Sequence, residues 1–329
     1  MGSIKFIDLF CGIGGIRLGM ESTGFECVFS CDINTECQKT YNANFGETPK
    51  GDIKEISEKS LPKFDILCAG FPCQPFSASG KQKGFADDRG TLFFEICRII
   101  NETHPKIVFL ENVKNLIYHD GGQTLETILS RLRELGYTPE WRLLNAVDFG
   151  VPQNRERIII VASKDKVFDF NKVKTNERTI LSDFLDKTGD FEFLNPEEYT
   201  LIDNPVKQNK SGLCFVGYRN KNIRKTGVRP GTEHLSRVHR QTNRIHSVNG
   251  SIPTLTSQET SGRYFILLPN NRVRKLTLDE CFRIMGFPDD FKRLSVFTEQ
   301  YKQMGNSVCV PMIAAFANEI SEQFFGKEI

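Results

Sequence analysis

The chain predicts a doubly wound, mostly parallel α/β sheet carrying a second, smaller and loop-rich β module. Two observations carry this. Over the first 165 residues, short apolar runs alternate with amphipathic stretches of helical period, the βαβα order of a parallel sheet. Beyond about residue 166 the alternation fades, and 205–263 is rich in Asn, Lys, Arg, Gly and Thr. Helical periodicity then returns near Lys275.

In chain order, the first strand is Lys5–Phe10, running into glycines 12, 14 and 15 and then a helix. Cys27–Cys31, Ile66–Ala69, Ile107–Leu110 and Ile158–Ala162 are the further strands. Between them lie helical segments at Thr35–Phe45, Thr91–Thr103 and Thr124–Leu135. Leu278–Met285 and Pro311–Phe325 are helical again, with Asn306 or Ser307 placed to cap the last helix. That final helix is expected to return to the first sheet. The chain therefore divides into 1–185 plus 300–329 as one domain, with 186–299 as an inserted module and hinge.

At 329 residues the chain can bury a large core. No apolar run approaches the ~20 residues needed to span a bilayer, and Met1–Lys5 is too short for the charged start of a signal peptide. A soluble, cytoplasmic protein is expected. Its ten cysteines show no CxxC pair and no neighbouring histidine pairs, so neither a metal site nor a disulfide scaffold is indicated. The net charge of +2 conceals an asymmetry: 205–275 holds 14 Lys and Arg against 2 acidic residues. Such a concentration of one sign predicts a surface for a polyanion, nucleic acid above all.

The reactive residues stand at strand ends. Phe64–Ala69 is followed by Gly70-Phe71-Pro72-Cys73-Gln74-Pro75-Phe76-Ser77, delivering a thiol to the rim of the sheet on a backbone stiffened by Pro72. Ile107–Leu110 is followed by Glu111-Asn112-Val113. A thiol and a carboxyl at the ends of neighbouring strands form a candidate nucleophile–acid pair. The glycine turn Phe10–Gly15 lacks the third glycine of a pyrophosphate fingerprint, because Arg17 stands there. Asp32 lies twenty residues after Gly12, where a carboxylate grips ribose hydroxyls, and Asp52 offers a third such position. Together these describe an adenosine site without a phosphate cradle. S-adenosylmethionine has that chemistry.

With these features in hand the chain resembles the bacterial DNA (cytosine-5) methyltransferases of restriction–modification systems, over essentially its whole length. The matching blocks occur in family order: Phe10–Gly15, Gly51–Ile53, Gly70–Ser77, Gly90–Ile96, Glu111–Val113, Gln153–Arg157, Arg274–Pro288 and Gln303–Val308. The resemblance implies a Rossmann-like S-adenosylmethionine-dependent methyltransferase sheet with a target-recognition domain on the basic insertion. It also implies the roles. Cys73 attacks C6 of a flipped-out cytosine, Glu111 binds or protonates N3, and one of Arg155 and Arg157 holds O2. Phe10, Gly12, Gly14, Gly15, Asp32, Ile33, Asp52, Ile53, Pro72, Leu92, Asn306 and Ser307 surround S-adenosylmethionine and its product S-adenosylhomocysteine, with no metal. Thr254-Leu255 matches the family's Thr-Leu signature, and a cognate restriction endonuclease is implied.

The base cannot react while stacked, so it must be rotated out. The small, polar stretch Gln74–Gly90 suits a clamp closing on double-stranded DNA, with Ser79 near the vacated position. Arg219, Arg224, Arg237, Arg240, Arg244 and Arg263 supply base and phosphate contacts that composition cannot sort. Asp32 stands where the family commonly has glutamate, and Ile33 where an aromatic often stacks on adenine. Arg283 is expected to brace the basic module, Glu280 to pair locally, and Trp141 to pack. A monomer suffices for a single-base reaction. The alternatives are a tRNA cytosine-5 methyltransferase, whose Cys-Phe-Thr segment is absent because Val216 follows Cys214-Phe215, and a catalytically silent DNA-binding regulator.

Overall fold

The computed structural model describes residues 3–72, 92–220, 231–257 and 263–326. Cys73, Ser79, Arg224 and the clamp segment Gln74–Gly90 lie outside them.

The chain opens with β1 (Lys5–Leu9), α1 (Gly15–Glu21), β2 (Glu26–Cys31) and α2 (Thr35–Phe45). Asn34 starts α2 where expected, its side-chain oxygen accepting the Glu36 and Cys37 amides, and left-handed Gly46 ends it. Next come β3 (Ile66–Gly70), α3 (Leu92–Thr103), β4 (Ile107–Val113) and α4 (Gln123–Glu134). They are followed by β5 (Thr138–Asn145), β6 (Gln153–Asn154) and β7 (Glu156–Ser163).

The main sheet has the order β2-β1-β3-β4-β7-β5. Its first four strands are parallel, and β7 runs antiparallel to both neighbours. The sequence reading found β7 but missed β5. Pro139, Glu140 and Arg142 interrupt any apolar run there, and an outer strand tolerates them because one of its edges makes no ladder bonds. Trp141 on β5 is 38% exposed, so the expectation that it packs away is corrected.

Both faces of this sheet are covered, which is why its strands read as continuous apolar runs. Phe6, Phe109 and Val161 face one core with Ile16, Met20 and Phe316. Ile7, Leu9, Leu67 and Ile160 face the other with Phe93, Ile96, Ile100 and Ile128.

The second sheet is built from short strands in the order β13-β12-β10-β9-β8. These are β8 (Tyr199–Leu201), β9 (Phe215–Arg219), β10 (Arg244–Ser247), β12 (Phe265–Leu267) and β13 (Val273–Lys275). Between β10 and β12 in sequence, β11 (Ile252–Pro253) leaves this sheet and pairs with β6 instead, Ile252 opposite Gln153. A core of Leu181, Ile252, Leu255, Tyr264, Cys281, Met285 and Met304 also takes in Ile13 from the glycine turn. Residues 252–255 are therefore joined by backbone to β6, just before β7, and by packing to the glycine turn after β1.

Three helices close the chain: α5 (Leu278–Ile284), α6 (Phe297–Asn306) and α7 (Val310–Ile320). α7 does return to the first sheet, pressed so closely on α1 that a Cβ at Gly19 would lie 2.5 Å from the Cβ of Ile313. The expected cap at Asn306 or Ser307 is corrected. Asn306 is the last residue of α6, Ser307 its C-cap, and Cys309 precedes α7 without a side-chain bond. The end of a further helix, α6, whose polar last turn contains Gly305, occupies the place where the cap was expected. Among the described residues no helix is long and apolar enough to cross a membrane, and no cluster of His, Cys, Asp and Glu has metal-binding geometry.

Arg274 and Glu280 form a two-pronged ion pair at 2.8 and 2.6 Å, 1% and 0% exposed, between β13 and α5. Glu280 also accepts the Thr277 amide as half of a capping box. Truncating one member of such a pair strands a buried charge, at a cost of about 3–5 kcal/mol. Glu280→Ala is expected to lower stability by that order in urea unfolding, and an unchanged midpoint would refute a structural role for the pair.

Candidate active site

A cavity of about 690 Å³ opens at the carboxyl ends of β1 to β4. The chain leaves β1 for β2 on one side and returns to β3 on the other, so the cavity sits at the switch point where open α/β sheets bind ligands.

The β1 exit supplies its floor. Phe10 is left-handed with φ of 58°, followed by Gly12 at 55° and Gly14 at 89°. For phenylalanine that conformation carries strain of order 1–3 kcal/mol, held here by the bond from Cys11 N to Cys31 O at 3.0 Å. Gly15 allows backbone contact, since a Cβ there would meet Ser307 Oγ at 2.4 Å. Gly14 is not among the lining residues. A Cβ on it would fall 2.3 Å from the Phe45 ring, so it serves the packing of α2.

The carboxylate of Asp32 accepts the Gly12 amide at 2.8 Å and the Asn34 amide at 2.8 Å. Burial raises its pKa, and the two backbone bonds oppose that rise. Asp52 caps a short turn by accepting the Lys54 amide at 3.0 Å. Phe10, Gly12, Gly15, Asp32, Ile33, Asp52, Ile53, Pro72, Leu92, Asn306 and Ser307 all line the one cavity. Ile33 is 71% exposed, an apolar lip rather than a wall. Arg17 is turned away, bonded to Glu21, Tyr41 and Glu47, and offers no cradle for a phosphate.

Across the cavity stands Glu111, at the end of β4 and opposite Gly70 of β3. Its Oε1 lies 3.0 Å from Arg157 Nε, off the line of a well-aligned hydrogen bond. Burial pushes the Glu111 carboxyl up, with Arg157 and then Arg155 pulling it back. A carboxyl in that condition is suited to hold a proton and give it to a buried base. Asn112 donates from Nδ2 to Phe71 O at 2.8 Å, fixing the backbone that leads into Pro72 and Cys73. The sequence reading quoted Asn112 without giving it a task. Its signal was an amide side chain at the end of an otherwise apolar strand. Gln303 was missed likewise: it lines the cavity and receives the Thr40 hydroxyl at 3.2 Å.

Of the two arginines named for the base, only Arg157 lines the cavity. Arg155 is 1% exposed and donates to Leu255 O at 2.9 Å, to Gly305 O at 3.0 Å and to Ser307 O.

The arginines of the basic module also separate. Arg263 bonds to Glu192 at 2.8 Å and lies over the Phe297 ring, and Arg244 donates to His239 O and Gln241. Arg219 lies over Phe265 with its Nε buried. Arg237 and Arg240 are exposed. Thr254 donates to Asn154 O at 2.8 Å, so it is turned toward β6. Arg283, expected to brace the basic module, pairs instead with Asp186 and Asp289, both outside 205–275.

Comparison with known proteins identifies the family. The family model described as C-5 cytosine-specific DNA methylase matches residues 4–322. The chain is 41% identical to the Type II methyltransferase M.HhaI of Haemophilus parahaemolyticus, over 96% of this chain and 94% of that protein. It is 41% identical to M.HaeII of Haemophilus aegyptius, over 97% and 93%. In fold it is similar to the Entamoeba histolytica methyltransferase EhMeth, with a TM-score of 0.69 at 20% identity over 98% of this chain and 99% of that one. The Dnmt2 methyltransferase of S. pombe gives a TM-score of 0.69 at 17% identity, over 98% and 100%. On the family match and the full-length relatives, this chain belongs to the C-5 cytosine-specific DNA methylases and is a DNA (cytosine-5) methyltransferase.

Proposed function

We propose that the enzyme methylates C5 of a flipped-out cytosine within a specific duplex sequence, with S-adenosylmethionine as donor and through a transient Cys73–C6 bond. The observation that carries this is the Glu111–Arg157 pair facing the glycine turn across one cavity, beside the Pro72 that precedes Cys73. The donor fits the lining. Asp32 and Asp52 suit hydroxyls, while Phe10, Ile53 and Leu92 suit an apolar ring. Among the described residues no arginine cluster calls for a phosphate at the turn, because Arg17 is engaged elsewhere. When bound, S-adenosylmethionine supplies an electrophilic methyl on a sulfonium.

Carbon 5 of cytosine is a poor nucleophile until aromaticity is broken. Cys73 Sγ, as thiolate, bonds to C6, and the electron pair displaced from the C5–C6 bond becomes available at C5. Glu111 offers its proton to N3 and so disperses the charge that develops in the ring. Arg157 holds O2 and favours the thiolate electrostatically. Once C5 has taken the methyl, leaving S-adenosylhomocysteine, the C5 proton goes to water, the C6–S bond breaks to return the thiolate, and N3 gives its proton back to Glu111 as the ring recovers its aromaticity.

In this reading 1–185 with 300–329 form the catalytic domain, and 186–299 form the target-recognition domain and hinge. Exposed Arg237 and Arg240 are the described arginines best suited to meet DNA. The reading extends to a cytoplasmic monomer that protects DNA from a cognate restriction endonuclease.

Three measurements test it. Labelled methyl transfer is expected to duplex DNA and not to RNA, and bisulfite sequencing of DNA from a host expressing the enzyme should expose one recurrent site. Cys73→Ala should abolish transfer while binding of S-adenosylhomocysteine persists, and a duplex bearing 5-fluorocytosine at the site should trap the parent enzyme covalently. Retained transfer in Cys73→Ala would refute the adduct. Glu111→Gln should lower kcat by about 10²–10⁴-fold with little change in cofactor affinity, and a kcat within a few-fold of the parent would remove Glu111 from the proton transfer.

A further inference from the structure

Arg155 is the most deeply engaged charged side chain of the site, yet it is absent from the cavity lining. It stands at the junction of β6 and β7, and its fork reaches three backbone carbonyls from two other parts of the chain. Leu255 O belongs to the inserted module, two residues past the point where β11 pairs with β6. Gly305 O and Ser307 O belong to the end of α6, which closes the cavity. Ser307 in turn touches the glycine turn, as its Oγ would lie 2.4 Å from a Cβ at Gly15. The two tethered segments also meet directly: a Cβ at Gly305 would lie 2.2 Å from Thr256 O. The module's side of the junction is held independently. Leu255 N donates to Gln153 Oε1 at 3.0 Å, and Tyr264 donates its hydroxyl to Thr254 O at 2.7 Å.

We propose that Arg155 is a positioning residue that couples occupancy of the cofactor cavity to the pose of the recognition segment 254–257. This rests on the reading above. A ligand against Gly15 and Ser307 fixes the α6 end, and through one guanidinium that order reaches the carbonyl of Leu255. The recognition segment is then set before DNA arrives. Thermodynamic reciprocity requires that the cofactor product tighten DNA by the same factor by which DNA tightens the product. Lysine keeps the positive charge but lacks the planar fork, so it can hold fewer of the three carbonyls.

The test measures the dissociation constant of a short unmethylated duplex, carrying the site found by bisulfite sequencing, with and without saturating S-adenosylhomocysteine. In the parent the ratio of the two constants is expected to be about 5–150, the usual span of such coupling. In Arg155→Lys the ratio is expected to fall at least about threefold, while affinity for the product alone stays within about twofold. Gly305→Ala, which pushes the two segments apart while leaving the guanidinium in place and shifting one of its acceptors, should lower the ratio likewise and decides the matter should Arg155→Lys fail to fold. A variant ratio equal to the parent's overturns the proposal, because a merely structural arginine would leave it unmoved. A parent that binds both ligands with a ratio near one overturns the coupling alone. A parent that binds neither overturns the functional reading as well.

Discussion

The site depends on one strand running against the rest. β7 enters the main sheet antiparallel between β4 and β5, with Val113 opposite Arg157 and Glu111 opposite Ile159. That register makes Glu111 and Arg157 diagonal neighbours on adjacent strands, the distance at which long side chains meet. A parallel β7 would bring its other end to the cavity, and Arg157 would lie at the far edge of the sheet. The antiparallel insertion thus places a cation beside a buried carboxyl, and the carboxyl beside the strand exit that leads to Cys73. Asn112 completes the arrangement by tying the β4 end to Phe71 O.

The basic module is organised by neutralisation as much as by exposure. Three of its fourteen basic side chains are paired with acidic residues from outside the segment: Glu192 takes Arg263 and Lys275, and Glu280 takes Arg274. Among the other described arginines, Arg219 and Arg272 lie over aromatic rings, Arg244 is held by His239 O and Gln241, and Arg237 and Arg240 are exposed. A charge tally along the chain identifies the partner class correctly, since DNA is the substrate of the family. It overstates the number of side chains available to meet that partner.

Residues 153–155 hold the segment 252–255 at a narrow waist. The two-residue pairing of β6 with β11, the Gln153 side chain, and the Arg155 fork all lie within three consecutive positions of the chain. A short segment with this many cross-chain bonds resists local opening, because each buried donor must lose its partner without gaining water. Gly305 allows the close approach that makes the waist possible.

The chain alone determined the parallel half of the fold, since strands buried on both faces must be apolar throughout and helices between them must show one apolar stripe. It likewise marked Glu111, Asp32 and the glycine turn, because each is a polar or permissive residue at the abrupt end of an apolar run. The edge strand β5 stayed hidden, since a half-exposed strand with proline and charge carries no such signature. The fate of Arg155 and Arg157 was also beyond the sequence. They alternate along one strand approach, and local pattern cannot say which faces a cavity and which faces three carbonyls from residues 100 to 152 positions away. Only the folded arrangement of distant segments makes one arginine a partner of Glu111 and the other a strut.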